Sequence, residues 1–378
     1  MDIALMLTDI VGKENILLDT ECGSYNKDWT GKYISTPLAV VKPASTLEVS
    51  QVVRACYKNN VAIVPVSGNT GLSGGTSANN AVMLSLERLN KIQKIKPQSR
   101  IAVVDAGVIL SNLHDAVEEF SLVFPLTFGA KSSSMIGGVL STNAGGSNVL
   151  KYGNTRTLCM GLEVVLPDGR VLDLMSELHK DNTGYDLKNL IIGAEGTLGI
   201  ITAAVLKLSP KPVAYITAMI ATSSLDNALK VLNILQEETG GGVEAFEYMP
   251  KNYIETHLTK VPSSRPPFEK LYDFNIMLEI GSTIAGDSIS SVTGKSALTE
   301  NIERVLSELL TSGELLDAVI AQSESQRSEM WERREASAEI TITNEPLIIT
   351  DVAVPLEKIS IFIEKMEVII QFVYLKIS

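Results

Sequence analysis

The sequence predicts an α+β chain in two parts, on three observations. β-Branched runs alternate with amphipathic helical stretches as far as about residue 211. Three segments crowded with glycine and small polar residues interrupt that alternation. Past Pro210 and Pro212 the order of strand-like and helix-like stretches changes. The expected divisions are a helical lead-in over 1–35, a first domain over 36–211 and a second over 212–378. With 378 residues, 45% of them apolar, both domains have material for a core.

In chain order, Ser45-Thr46-Leu47-Glu48 is a capping box that opens a helix to about Lys58, with Val49, Val52 and Val53 inward. Strands follow at 61–66, 82–86 and 101–104, and Ser111 is expected to cap a helix carrying Leu113, Val117 and Phe120. A hairpin over 162–174 turns at Pro167-Asp168-Gly169, and a strand runs over 200–208. In the second domain, strands at 215–221, 243–248, 274–280 and 315–321 and helices at 225–239 and 297–310 give the order βαββαβ, a ferredoxin-like unit. A long polar helix over 324–338, a strand at 347–354 and a helix from about Glu357 complete the reading.

Composition excludes several partners. The net charge of −12 argues against nucleic acid and anionic membrane. No apolar run reaches transmembrane length, and the N-terminus lacks a basic leader, so the default compartment is cytoplasmic or the membrane periphery. Cys22, Cys56 and Cys159 are scattered, as are His114, His179 and His257. Neither a disulfide framework nor a metal site is expected.

The glycine-rich segments carry the chemistry. Ser67-Gly68-Asn69-Thr70-Gly71-Leu72-Ser73-Gly74-Gly75 follows a strand and places four glycines within eight residues. Successive N–H groups in such a loop converge on an anion, which suits a phosphate or pyrophosphate. Residues 129–146 mix glycine, hydroxyls and an amide over eighteen positions, as a surface lying along a large flat ligand requires. Ile192-Gly193-Ala194-Glu195-Gly196-Thr197-Leu198-Gly199 is the third. The GxGxxG spacing is absent, and Gly294-Lys295-Ser296 lacks the earlier glycine of a Walker loop. Three grips on one long ligand remain.

These stretches, with Lys180-Asp181-Asn182-Thr183-Gly184-Tyr185-Asp186-Leu187-Lys188, resemble the flavoproteins of the vanillyl-alcohol-oxidase and p-cresol-methylhydroxylase (PCMH) type. The chain is most similar to the group of D-2-hydroxyglutarate dehydrogenases, D-lactate dehydrogenases and glycolate oxidase flavin subunits, from about residue 20 to about 370. The resemblance implies a PCMH-type two-lobed FAD-binding domain followed by a ferredoxin-like cap domain. It implies FAD held by Ser67, Gly68, Asn69, Thr70 and Gly71 at the pyrophosphate, and by Ser132, Ile136, Gly137, Gly138, Thr142 and Asn143 along the isoalloxazine and phosphates. Glu195, Gly196 and Ile200 close on the adenosine half. Relatives that bind flavin covalently use a histidine of the first loop; none lies between 60 and 80 here, so the flavin is expected to be noncovalent.

The resemblance also implies hydride transfer from C2 of a D-2-hydroxy acid to flavin N5. Electrons then pass to a quinone, a cytochrome or an electron-transferring flavoprotein, and there is room for a homodimer. A W-x-x-R-E helix supplies the carboxylate-binding arginine, here Arg334 of Trp331-Glu332-Arg333-Arg334-Glu335. The bland alternative is a solvated helix face with ion pairs to its many glutamates. Three departures stand out. Ala338 replaces a hydroxyl residue, Ile349 replaces a lysine, and the family's G-D-G-N-L-H and E-H-G motifs, which supply metal ligands and a catalytic base, are absent. The expectation is therefore a C-terminally truncated member without the family's divalent metal site and with no catalytic base identified. Its alternatives are a catalytically impaired flavin-binding remnant and a flavin subunit completed by another chain. The last eleven residues, mostly apolar and β-branched or aromatic, read as an aggregation-prone strand.

Overall fold

A computed structural model describes residues 3–290, 294–342 and 350–377. The chain forms two compact units, Met1–Lys211 and Pro212–Ser378.

Unit 1 opens with α1 (Ile3–Val11) and β1 (Ile16–Leu17), followed by β2 (Ala39–Val41), α2 (Thr46–Lys58), β3 (Ala62–Val66) and β4 (Ala81–Ser85). These strands make a sheet of order β1-β2-β4-β3, in which β2, β4 and β3 are mutually parallel. Both faces are covered, so the strands read as continuous apolar runs. Val41, Val82 and Leu84 join the main core, while Val40, Met83 and Val66 pack with Cys22 on the other side. Helix α2 starts where expected: Ser45 Oγ accepts from the Glu48 N–H at 3.2 Å, and the Glu48 carboxylate reaches back to the Ala44 N–H at 2.8 Å.

A second, antiparallel sheet is built from β5 (Ile92–Lys96), β6 (Ile101–Asp105), β8 (Cys159–Val165), β9 (Val171–Leu174) and β10 (Ile200–Lys207), in the order β5-β6-β10-β8-β9. A two-stranded ladder pairs β7 (Leu122–Val123) with β11 (Ser209–Pro210). The helices between them are α3 (Leu110–Glu118), α4 (Ile136–Ser141), α5 (Val149–Tyr152), α6 (Thr155–Leu158) and α7 (Lys188–Ile191).

Unit 2 contains β12 (Ala214–Thr222), α8 (Leu225–Glu238), β13 (Val243–Pro250), α9 (Lys251–Lys260), β14 (Phe274–Ser282), α10 (Ala297–Ser312) and β15 (Asp317–Ile320). The sheet order β13-β14-β12-β15, antiparallel throughout, is that of a ferredoxin-like unit. Alternate residues of β12 and β14 face opposite ways. Ile216, Ala218, Ile276 and Leu278 meet α8 and α10, whereas Met219, Ala221 and Met277 meet α9 and α11 (Glu324–Glu335). The chain then forms α12 (Ser337–Ile342) and α13 (Ile359–Ile377). Ser224, Ser296 and Ser323 cap α8, α10 and α11, so the Gly-Lys-Ser sequence at 294–296 serves as a helix start.

Four expectations need correction. The lead-in is not only helical, because β1 pairs with β2. Ser111 lies inside α3 and does not cap it. The N-cap position is Ile109, whose side chain cannot accept, and the first N–H groups, from Leu110 and Ser111, donate instead to the carbonyls of Ser134 and Lys131. Phe120 falls beyond α3 and is exposed. The apolar C-terminal stretch is helical, not strand-like: α13 begins before it, and extending an existing helix fixes one residue per new hydrogen bond. Of the strand expected at 347–354, residues 347–349 lie outside the described residues, and 350–354 form no strand.

Candidate cofactor and substrate sites

Two adjacent parallel strands need a long crossover. Between β3 and β4 that crossover is the irregular segment 67–80, which contains the first glycine-rich loop. It leaves from the carboxyl edge of the parallel strands, where open α/β sheets place their ligands. Asn69 (φ 50°) and Gly74 (φ 71°) take the left-handed backbone conformation. The Asn69 side chain fixes the loop, its Nδ2 donating to the Lys27 carbonyl at 3.2 Å and its Oδ1 accepting from Thr76 Oγ1 at 2.7 Å. Among the described residues, the backbone N–H groups of 67–76 donate to no acceptor in the chain. A row of unpaired N–H groups in such a loop is an anion receptor.

The three segments meet. The Gly138 N–H donates to Ser67 Oγ at 3.2 Å, joining the first to the second. Gly193 and Glu195 donate to the carbonyls of Leu140 and Ser141 at 3.1 and 2.9 Å, joining the second to the third. Gly196 (φ 77°) lies against Pro65 at the end of β3, where a Cβ would come within 2.5 Å of the proline ring.

The glycines divide by what requires them. A Cβ on Gly68 would stand 2.1 Å from the Ser133 carbonyl oxygen, on Gly137 2.8 Å from Ala106 Cβ, and on Gly138 2.9 Å from Ser67 Cβ. Those three serve the fold's own packing. Gly71 has nothing within 4 Å and its φ is not positive. Gly75 has only Glu195 Oε2 at 4.0 Å. The chain's own contacts do not require glycine at these two positions.

The other expected residues lie as follows. Ile136 and Ile200 are buried in the main core. The N–H groups of Ile136, Gly137 and Gly138 are already committed, to Val108, Ala106 and Ser67, so α4 offers no free N-terminus. Thr142 Oγ1 donates to the Gly138 carbonyl at 2.9 Å, and Ser132 is exposed with no partner among the described residues. Asn143 (φ 49°) accepts the Arg156 N–H at 3.0 Å through Oδ1. Arg156 has no motif to announce it in the sequence. Its guanidinium grips the carbonyls of Asn189 and Ile192 and so ties the second segment to the third. Beside Gly196 lies a mostly apolar cavity of about 290 Å³ lined by Val53, Tyr57, Ile63, Pro65 and Ile200. The Lys180–Lys188 stretch borders a polar cavity of about 590 Å³ through Asp181, Tyr185, Asp186 and Lys188.

In unit 2, Arg334 is not a solvated ion-pair residue of its own helix. Its Nε donates to Glu247 Oε2 on β13 at 3.0 Å, and neither Nη has a partner among the described residues. The same helix stripe, one and two turns back, carries Trp331 and Arg327. Both donate to the buried Glu279 of β14: Trp331 Nε1 at 2.8 Å, Arg327 Nε at 2.8 Å and Nη2 at 3.0 Å. Thr217 Oγ1 adds a bond at 2.6 Å. Burial pushes the Arg327 guanidinium down, but Glu279 and Glu324 outweigh it and hold its pKa above the ordinary arginine value. The Ala338 side chain and Ile349 lie outside the described residues. Among the described residues no group of three or more His, Cys, Asp or Glu is arranged to hold a metal, and no helix is long and apolar enough to cross a membrane.

A family model described as an FAD binding domain matches residues 37–175, and one described as the C-terminal domain of FAD linked oxidases matches 211–372. The D-2-hydroxyglutarate dehydrogenase of Xanthomonas citri pv. viticola is 35% identical over 351 residues, covering 93% of this chain and 71% of its own length. The mitochondrial D-2-hydroxyglutarate dehydrogenase of Arabidopsis thaliana is 35% identical over 353 residues, or 93% of this chain, which spans only 61% of that relative. These overlaps measure shared length and do not show a truncation. Among solved structures, an alkyldihydroxyacetonephosphate synthase aligns with a TM-score of 0.68 at 19% identity, over 89% of this chain and 63% of its own. A p-cresol methylhydroxylase aligns with a TM-score of 0.63 at 18% identity, over 87% and 68%. At such identities the likeness is one of fold, and that fold is the PCMH type with its FAD-binding domain and a second α+β domain. The chain belongs to the FAD-linked oxidase family, the family to which these D-2-hydroxyglutarate dehydrogenases also belong.

Proposed function

We propose that the chain binds FAD noncovalently in unit 1 and oxidises a D-2-hydroxy acid of the 2-hydroxyglutarate or lactate class. The observation that carries this reading is the row of unpaired N–H groups over 67–76, at the carboxyl edge of a parallel sheet. Those groups, with Gly71 leaving the approach open, hold the pyrophosphate. The Gly196 N–H, which has no acceptor among the described residues, and the Glu195 carboxylate face the adenosine half, and the apolar cavity beside Gly196 suits a flat aromatic ring. The bound flavin supplies a hydride acceptor for C2 of the substrate. Arg334 binds the substrate carboxylate end-on through its two free Nη atoms, while Glu247 fixes the guanidinium by Nε. The names of the relatives support the substrate class.

The test is spectroscopic. Purified protein should show flavin absorbance and release free FAD on denaturation. Anaerobic D-2-hydroxyglutarate or D-lactate should bleach it, and the L-enantiomers should not. A colourless protein that cannot be reconstituted with FAD removes the cofactor reading. A yellow protein that dithionite bleaches but no hydroxy acid does removes the substrate reading alone.

A further inference from the structure

Helix α11 has a second polar stripe, turned away from Arg327, Trp331 and Arg334. Ser325, Ser328, Glu329, Glu332 and Arg333 border a cavity of about 410 Å³, closed on its other side by α9 and the turn after it. Arg333 is only 2% exposed. Its Nη2 donates to the Arg265 carbonyl at 2.5 Å and to Ser264 Oγ at 3.3 Å, but its Nε has no partner, and no bond to its Nη1 exists among the described residues. The nearest carboxylate, on Glu329, is 4.0 Å away. That carboxylate is already engaged by Arg265, through its backbone N–H and Nη2 at 3.2 Å each.

A guanidinium this buried, with a single carboxylate at 4.0 Å that it shares with Arg265 and with its Nε unpaired among the described residues, is under-compensated and has room for an anion that arrives from outside. The rest of the wall agrees. His257 is 3% exposed, and its Nδ1 has no partner among the described residues. Burial, and then the Arg333 charge, draw its pKa below the ordinary value. The hydroxyls of Ser263, Ser325 and Ser328 have no acceptor among the described residues and can turn their protons inward. Glu332 and Glu329 both oppose an anion; Glu332 is exposed and screened by water, and the Glu329 charge is offset by Arg265.

We propose that this cavity is a small-oxyanion site, for a phosphate or carboxylate group, with Arg333 as its charged anchor and the serine hydroxyls as its neutral donors. It is separate from the carboxylate site assigned to Arg334 and does not depend on that assignment.

The test is thermal unfolding and titration calorimetry of the flavin-loaded protein with inorganic phosphate and, separately, succinate, at ionic strength held constant with KCl. Saturable stabilisation by at least one anion is expected. R333M should abolish it, and S328A should weaken binding by roughly tenfold. R334A should bind as the parent does. Phosphate alone acting identifies a phosphate group as the ligand, and succinate acting identifies a carboxylate. If R333M does not fold, the double variant S263A/S328A carries the same comparison. Absence of a saturable response to either anion overturns the proposal, as does a response that survives R333M or vanishes in R334A.

Discussion

Gly68 and Gly71 stand three residues apart in one loop and have opposite reasons to be glycine. At Gly68 an added methyl meets the Ser133 backbone, so Gly68→Ala should lower stability by about 1–3 kcal/mol and lose flavin with it. At Gly71 neither φ nor a neighbouring atom forbids a side chain. A strained backbone, the usual reason to expect harm from valine there, is therefore absent, and only blockage of a ligand remains. Gly71→Val should leave the melting of flavin-free protein within about 0.5 kcal/mol of the parent while abolishing FAD retention. Paired melts and FAD-to-protein ratios separate the two; a Gly71→Val protein that keeps its flavin would place the pyrophosphate elsewhere. Arg334 divides in the same way. Arg334→Ala should raise KM for the hydroxy acid by roughly ten to a hundredfold, about 1.5–3 kcal/mol, at unchanged flavin content. Unchanged steady-state kinetics would return Arg334 to a structural partner of Glu247.

Helix α11 is mostly polar, and it docks through a few buried bonds more than through apolar area. Glu279 receives Arg327, Trp331 and Thr217 at once. Removing a partner from a buried ion pair leaves the other charge stranded. Glu279→Ala should cost about 3 kcal/mol and should raise the hydroxy-acid KM, since Arg334 rides on the same helix. Flavin content should stay at the parent's level; a fall in flavin with no change in KM would contradict this assignment. Most elements were legible because local signals show through: the apolar runs of β12 and β14, the amphipathic period of α8 and α10 and the Ser45 cap of α2 are visible in the sequence. Glu279 was not, because one carboxylate inside the apolar run Ile276–Ile280 has no periodic signature. The helical state of α13 was hidden for a different reason. Its β-branched residues favour a strand locally, and only the continuity of the helix overrides them.

For the molecule as a whole, the candidate cofactor site was legible as three separate stretches, because small residues in bulk are rare outside ligand surfaces. Which glycine serves packing and which serves a ligand was not legible, since that depends on neighbours as distant in sequence as Ser133 for Gly68 and Ala106 for Gly137. Arg156 escaped for the same reason. One property extends over both units: each holds a histidine with a buried ring nitrogen that has no partner among the described residues, Nε2 of the half-buried His114 in the first and Nδ1 of the buried His257 in the second. Burial lowers the pKa of His114; bonds to the carbonyls of Phe124 and Leu126 pull upward without offsetting it. Burial also lowers that of His257. A histidine whose pKa is depressed by folding binds its proton more readily when unfolded. Its contribution to stability is therefore complete above the ordinary value of 6.5 and declines as pH falls through that value towards the folded pKa, by up to roughly 1.4 kcal/mol per pH unit for each histidine. Glu87, held below its ordinary 4.5 by Tyr25 and Lys42 against the opposing effect of burial, adds its own loss only in stronger acid. Urea unfolding in phosphate-free buffer at pH 7.5, 6.5 and 5.5 should thus show stability falling monotonically. His114→Gln should flatten the part of that fall that belongs to the flavin-binding unit. Equal stability at pH 7.5 and 5.5 would mean that both rings find a proton acceptor in the folded protein.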